Sequence, residues 1–131
     1  MKFGEKVRIA RRNSKMTQQA LAEQLGVSLR TITGYETEGL YPRKREIYTK
    51  LANIFNCEES YFKSEEDEFV LQADEEYGDL GKRQAQALVS QMTGLFSGGA
   101  LSDDDKDAVM KALMDAYWLS KKANSKYTKK D

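Results

Sequence analysis

Apolar residues recur along most of this chain at three- and four-residue steps, the period of a helix packed on one side. Phe3, Val7 and Ala10 set the first such run, with Arg8, Arg11 and Arg12 between them, and Asn13-Ser14-Lys15 closes it. Thr17 follows, placed so that its hydroxyl can accept a bond from an orphan amide of a second helix that runs to Leu25 and stops at Gly26. Ser28 caps a short third helix with Ile32 and Tyr35 turned inward, and Gly39 and Pro42 break the pattern. From Arg45 to Phe55, Ile47, Leu51 and Phe55 mark one face of a fourth helix, and Tyr61 with Phe62 predicts a last turn that closes the core.

Beyond residue 64 the pattern thins. Residues 65–81 carry few apolar side chains, among them Phe69, Val70, Leu71, Tyr77 and Leu80, and read mainly as an acidic linker. Ala85, Leu88, Val89, Met92, Leu95 and Phe96 then restore the helical period until Ser97-Gly98-Gly99 interrupts it. Ser102 followed by Asp103-Asp104-Asp105 resembles a capping box with acids at the positive end of a helix dipole, and predicts a helix to about Lys122. The expected organisation is all-α: a five-helix head over 1–64, the linker over 65–81, an αα-hairpin over 82–122, and a flexible basic tail over 123–131.

Charge changes this picture more than composition does. The 131 residues carry 21 basic and 21 acidic side chains, a balance that at first argues against a polyanionic partner. The charges are segregated, however: residues 1–64 hold twelve bases against seven acids, residues 65–81 eight acids and no base, and the remainder nine bases against six acids. The head alone is basic. The chain has no histidine and one cysteine, Cys57, which excludes an internal disulfide and removes the usual parts of zinc sites and Ser-His or Cys-His catalysis. No enzyme activity, metal or cofactor is expected, and the acids at 103–107 are read as a helix cap because they lack the spacing and glycine of a calcium loop. Cys57 is expected as a small buried hydrophobe. The opening Met-Lys-Phe-Gly-Glu-Lys carries charges where a leader needs apolar residues, and no window is long enough for a membrane span, so a cytoplasmic location is expected.

Residues 18–35 answer to a more specific geometry. Two helices crossing steeply through a tight turn need a small residue at their contact, a glycine at the turn and apolar inner faces; Ala22, Gly26, and Leu21, Leu25, Val27, Ile32 and Tyr35 supply these. Leu29, Arg30, Thr33 and Gly34 are left on the outer face of the third helix, which can enter a major groove. Residues 17–36, Thr-Gln-Gln-Ala-Leu-Ala-Glu-Gln-Leu-Gly-Val-Ser-Leu-Arg-Thr-Ile-Thr-Gly-Tyr-Glu, resemble the helix-turn-helix of phage repressors and Cro proteins, a likeness extending over residues 3–62. The resemblance implies a lambda-repressor-like head that binds double-stranded DNA, with Leu29, Arg30, Thr33 and Gly34 at base-facing positions and Thr17 and Gln18 against the backbone. Ser28, Arg43 and Lys44 are further backbone candidates. Arg11 and Glu36 match positions that form an internal ion pair. One departure is that glycine falls at Gly39, three residues after Glu36 rather than two, so a different shape is expected for the loop 37–43.

The final helix has an unusually wide apolar arc. Val109, Leu113, Ala116 and Tyr117 form one stripe, and Met110, Met114 and Trp118 widen it beyond what one partner helix needs. Met110, Met114, Tyr117 and Trp118 are therefore expected at a homodimer interface, which would suit a repressor on a pseudo-palindromic operator. The alternative is an antitoxin-like or adaptor protein whose C-terminal helices bind another protein while the head regulates its own operon.

Overall fold

The computed structural model describes residues 1–127, and the side chains of residues 1–123. Seven helices and no strand are present among the described residues: α1 (Phe3–Asn13), α2 (Gln18–Leu25), α3 (Leu29–Thr37), α4 (Arg45–Phe55), α5 (Glu59–Phe62), α6 (Glu65–Phe96) and α7 (Asp103–Tyr127). None of these is long and apolar enough to cross a membrane. Of the expected basic tail, residues through Tyr127 continue α7, and residues 128–131 lie outside the described residues.

Local chemistry sets the boundaries in the head. Thr17 accepts a bond from the Ala20 amide at 3.0 Å and Ser28 one from the Thr31 amide at 3.1 Å, so both helices of the central pair begin on a side-chain oxygen. Gly26, in the left-handed region, ends α2, and Val27 donates back to the Ala22 carbonyl at 3.0 Å. The third helix ends in the same way: Leu40 donates to the Gly34 carbonyl at 3.1 Å across Gly39. The shifted glycine thus makes an ordinary helix stop one residue later.

Phe3 is the hub of the core. Its ring meets Tyr35, Tyr48 and Phe62 edge-on at 5.3, 5.6 and 6.4 Å, and stacks on Tyr41 at 5.6 Å. Val7, Leu21, Leu25, Ile32 and Leu51 complete it, all buried. Against expectation, Cys57 is exposed. It follows Asn56, whose left-handed backbone ends α4, and only its amide is held, by the Ala52 carbonyl at 2.9 Å.

The acidic connection is the main departure. Residues 65–81, read as a linker, lie within α6. Ser64 and Asp67 form a reciprocal capping box at 3.1 and 3.0 Å, and Glu65, Glu66, Asp67 and Glu68 place four carboxylates at the positive end of the dipole. The few apolar residues are enough because they serve two faces. Leu71 joins the head core, while Phe69 and Ala73, about 200° and one full turn away, seed a second cluster with Ala85. The helix then breaks at Gly78, whose φ of 70° and ψ of −156° lie in a region essentially reserved for glycine.

This break lets the second half of α6 and α7 fold against the first half. Phe69 meets Tyr117 and Trp118 edge-on, each at 5.2 Å, and the Tyr117 hydroxyl donates to the Gly81 carbonyl at 3.1 Å. The same packing covers part of the face made by Met110, Met114, Tyr117 and Trp118, the residues expected at a homodimer interface. Met110 is buried, and the other three are half-buried against Phe69, Ala73, Ala85, Leu88 and Val89 of their own chain. The supposed linker, through Phe69 and Ala73, supplies part of that cover. Leu95, expected inside the hairpin, is 71% exposed.

Candidate nucleic-acid interface

The central pair α2–α3 is held against α1 by a buried charge cluster. Glu36, near the C-terminal end of α3, is 6% exposed and accepts two bonds from Arg11, Nε to Oε2 at 2.8 Å and Nη2 to Oε1 at 3.0 Å. Gln18 adds an Nε2 bond to Oε1 at 3.2 Å, and Arg8 donates to the Glu36 main-chain carbonyl at 2.8 Å. Arg11 also donates to the Met16 carbonyl at 2.9 Å, so one guanidinium fixes the α1–α2 turn and the end of α3 together. Burial pushes the Glu36 carboxyl upward. The bonds from Arg11 and Gln18, with the charges of Arg11 and Arg8, outweigh it, and the carboxyl titrates below its ordinary range. The carboxylate is therefore charged and fully engaged at neutral pH.

That clamp leaves the N-terminal part of α3 outward. Leu29 is 45% exposed, and Arg30 is exposed beside it. Neither Arg30 nor Arg43 or Lys44, which precede α4, makes an ion pair with any described residue. Thr33 is half-buried, and its hydroxyl donates to the Leu29 carbonyl at 3.1 Å. Thr17 and Ser28 are exposed caps whose oxygens already accept from backbone amides; the Thr17 hydroxyl proton can still be given, while the Ser28 hydroxyl also pairs with the Thr31 hydroxyl at 2.9 Å. Gln18 is shared with Glu36.

Gly34 does not belong with the outward residues. It is buried, and a Cβ built there would come within 2.5 Å of the Leu40 side chain. The glycine admits the α3–α4 loop onto the helix; it does not present itself to a groove. Leu40, an apolar residue in the α3–α4 loop, is the one signal that could have found this.

Arg45 stands apart from Arg43 and Lys44. It holds Glu68 with both ends of its guanidinium, at 2.5 and 2.6 Å, and Glu75 at 2.9 and 3.1 Å, while Lys63 reaches Glu68 at 3.1 Å. These bonds bind the start of α4 to the acidic half of α6. They draw the Glu68 carboxyl below its ordinary range, chiefly through Arg45. The basic run at 43–45 thus divides into two free cations and one consumed internally.

A capped helix pair crossing through a three-residue turn, clamped behind and open in front with unpaired cations on its outer side, defines a DNA-binding helix-turn-helix head. Residues 7–62 match the family model described as Helix-turn-helix. The match covers the head, whose sequence is similar to the phage repressor and Cro type, and it supports a DNA-binding transcription regulator. Comparison with curated proteins and with solved structures gave no match.

Proposed function

We propose that the protein is a repressor that binds a pseudo-palindromic operator as a homodimer. The observation that supports sequence reading is the exposed Leu29–Arg30 pair at the start of α3, with Arg43 and Lys44 exposed and unpaired just before α4. In this reading Leu29, Arg30 and Thr33 meet base edges, with Arg30 on guanine and Leu29 against a thymine methyl. Thr17, Gln18, Ser28, Arg43 and Lys44 hold phosphates and set the register. Two heads about 34 Å apart would read two half-sites one helical turn apart.

The methionine and tryptophan side of α7 is partly covered by its own chain, so a pairing surface draws on neighbouring residues as well. Leu95 and Leu119 are 71% and 68% exposed on the two C-terminal helices and favour an apolar contact there. The same leucines would serve an adaptor that binds a different protein. Selection of bound duplexes from a random pool, followed by sedimentation of the chain alone and on the selected duplex, tests the proposal. A symmetric consensus bound by two chains is the expected result. Binding without sequence preference would defeat the repressor reading, and a monomer on a single half-site would defeat the dimer.

A further inference from the structure

A cavity of about 570 Å³ lies between the α3–α4 loop and both halves of α6. That volume falls within the roughly 300–1,000 Å³ typical of small-molecule sites. Leu40, Val70, Leu71 and Val89 give it an apolar side. Three carboxylates line it, Glu66, Asp67 and Asp74, against two cations, Arg43 and Lys82. Glu66, Asp74, Arg43 and Lys82 form no ion pair with any described residue, and Asp67 uses only Oδ2, on the Ser64 amide.

Tyr48 is the second observation. It is 1% exposed, lines this cavity, and its hydroxyl makes no hydrogen bond with any described residue. No fully enclosed side-chain nitrogen or oxygen lacks a partner among the described residues, so the hydroxyl is the part of Tyr48 left open, and it opens here. Burial first, and then the charge of Asp67, pushes its phenol well above the ordinary range, which keeps the proton on the oxygen. Open to the cavity and free of any internal partner, the hydroxyl is available to an occupant as donor or acceptor.

We propose that this cavity binds a small organic cation, an ammonium group carried on an apolar body. The carboxylates outnumber the cations of the lining, and the half of α6 that bears them has eight acids and no base over residues 65–81. The ammonium lies toward Glu66 and Asp74, the apolar body rests on Val70 and Val89, and Tyr48 supplies a hydrogen-bond partner. The site borders the loop Gly39–Arg43, so an occupant sets that loop against α6. Its influence on DNA rests on the phosphate role proposed for Arg43; binding of the cation does not.

The test is a titration of the full chain with phenethylamine, followed residue by residue by heteronuclear NMR, beside phenethyl alcohol as the uncharged counterpart. Saturable shifts confined to residues 39–43, 66–74 and 82–90 are expected with the amine. Loss of the charge-assisted bond should weaken binding about tenfold, both for the alcohol and for the Glu66→Gln, Asp74→Asn double variant. Those two carboxylates make no ion pair or hydrogen bond with any described residue, so the double variant breaks none, far-UV circular dichroism checks its fold, and Tyr48→Phe offers a second variant that removes only the hydroxyl. Unsaturable or scattered shifts, equal affinity for the alcohol, or full affinity in the double variant would overturn the site. A low-salt duplex titration of the same samples separates the two readings: cation binding without DNA binding leaves the site and removes the regulator, and the converse removes the site alone.

Discussion

Arg11 holds Glu36 through two parallel hydrogen bonds of 2.8 and 3.0 Å, across 25 residues of sequence, with the glutamate side chain 1% and the arginine side chain 12% exposed. Removing one partner strands the other, and a broken buried pair costs about 3–5 kcal/mol. Arg11 retains some water and the Met16 carbonyl, so Glu36→Ala should fall at the low end and Arg11→Ala, which strands the more buried group, at the high end. The double variant should lose less than the two single losses added together. Chemical denaturation of all four chains measures this, and a coupling energy below about 0.5 kcal/mol would show that the two act independently.

The same carboxylate predicts how stability follows pH. Glu36 and Glu68 titrate below the ordinary value of 4.5 in the folded chain, so the unfolded chain takes up protons first as pH falls. Their contribution is complete above the ordinary carboxylate range and is lost as pH drops through the folded values. Unfolding midpoints measured from about pH 6 to about pH 3 should decline, and Glu36→Gln should flatten that decline even though it lowers the starting stability. An unchanged slope in Glu36→Gln would remove Glu36 from the acid response.

Arg30 and Arg43 are both exposed and unpaired, yet their predicted losses differ in kind. Arg30→Ala should cost about 1–3 kcal/mol against the preferred base at one operator position and relax discrimination there. Arg43→Ala or Lys44→Ala should weaken every duplex alike and reduce the salt slope by about one counterion. Competition among operator variants at several salt concentrations distinguishes the two patterns. Exchange of the patterns between Arg30 and Arg43 would invert the assignment of the two surfaces.

The head was legible in the sequence because its signals are local. Thr17, Gly26 and Ser28 act through atoms three to five residues away, and the apolar period alone places Leu21, Leu25 and Ile32 inside. The role of Gly34 was not legible, because a glycine on the outer arc of a helix is open or filled depending on whether a distant Leu40 folds over it. The acidic stretch misled for a related reason. Its apolar residues are sparse, and a single stripe is the usual mark of a helix packed on one side, whereas Phe69 and Leu71 face two different clusters. The contact of Trp118 with Phe69 was missed because Phe69 had been placed in a linker.

That two-faced helix leads to the last prediction, on cooperativity. A coil between head and extension would let the two melt separately, each with its own midpoint. Here Leu71 is 7% exposed in the head core, Phe69 is 3% exposed in the cluster with Trp118, and Arg45 ties Glu68 and Glu75 of the same segment to α4. The exposed ion pairs add little on their own, so the coupling rests on the two apolar contacts being carried by one rigid turn of helix. Trp118 is the only tryptophan and reports the extension, while far-UV circular dichroism reports all helices. The two signals should therefore fall at one midpoint. Leu71→Ala should cost about 2–5 kcal/mol and shift both signals together, although Leu71 touches the head and not Trp118. A tryptophan transition that stays in place while the ellipticity moves would show that the acidic segment transmits nothing between the two clusters.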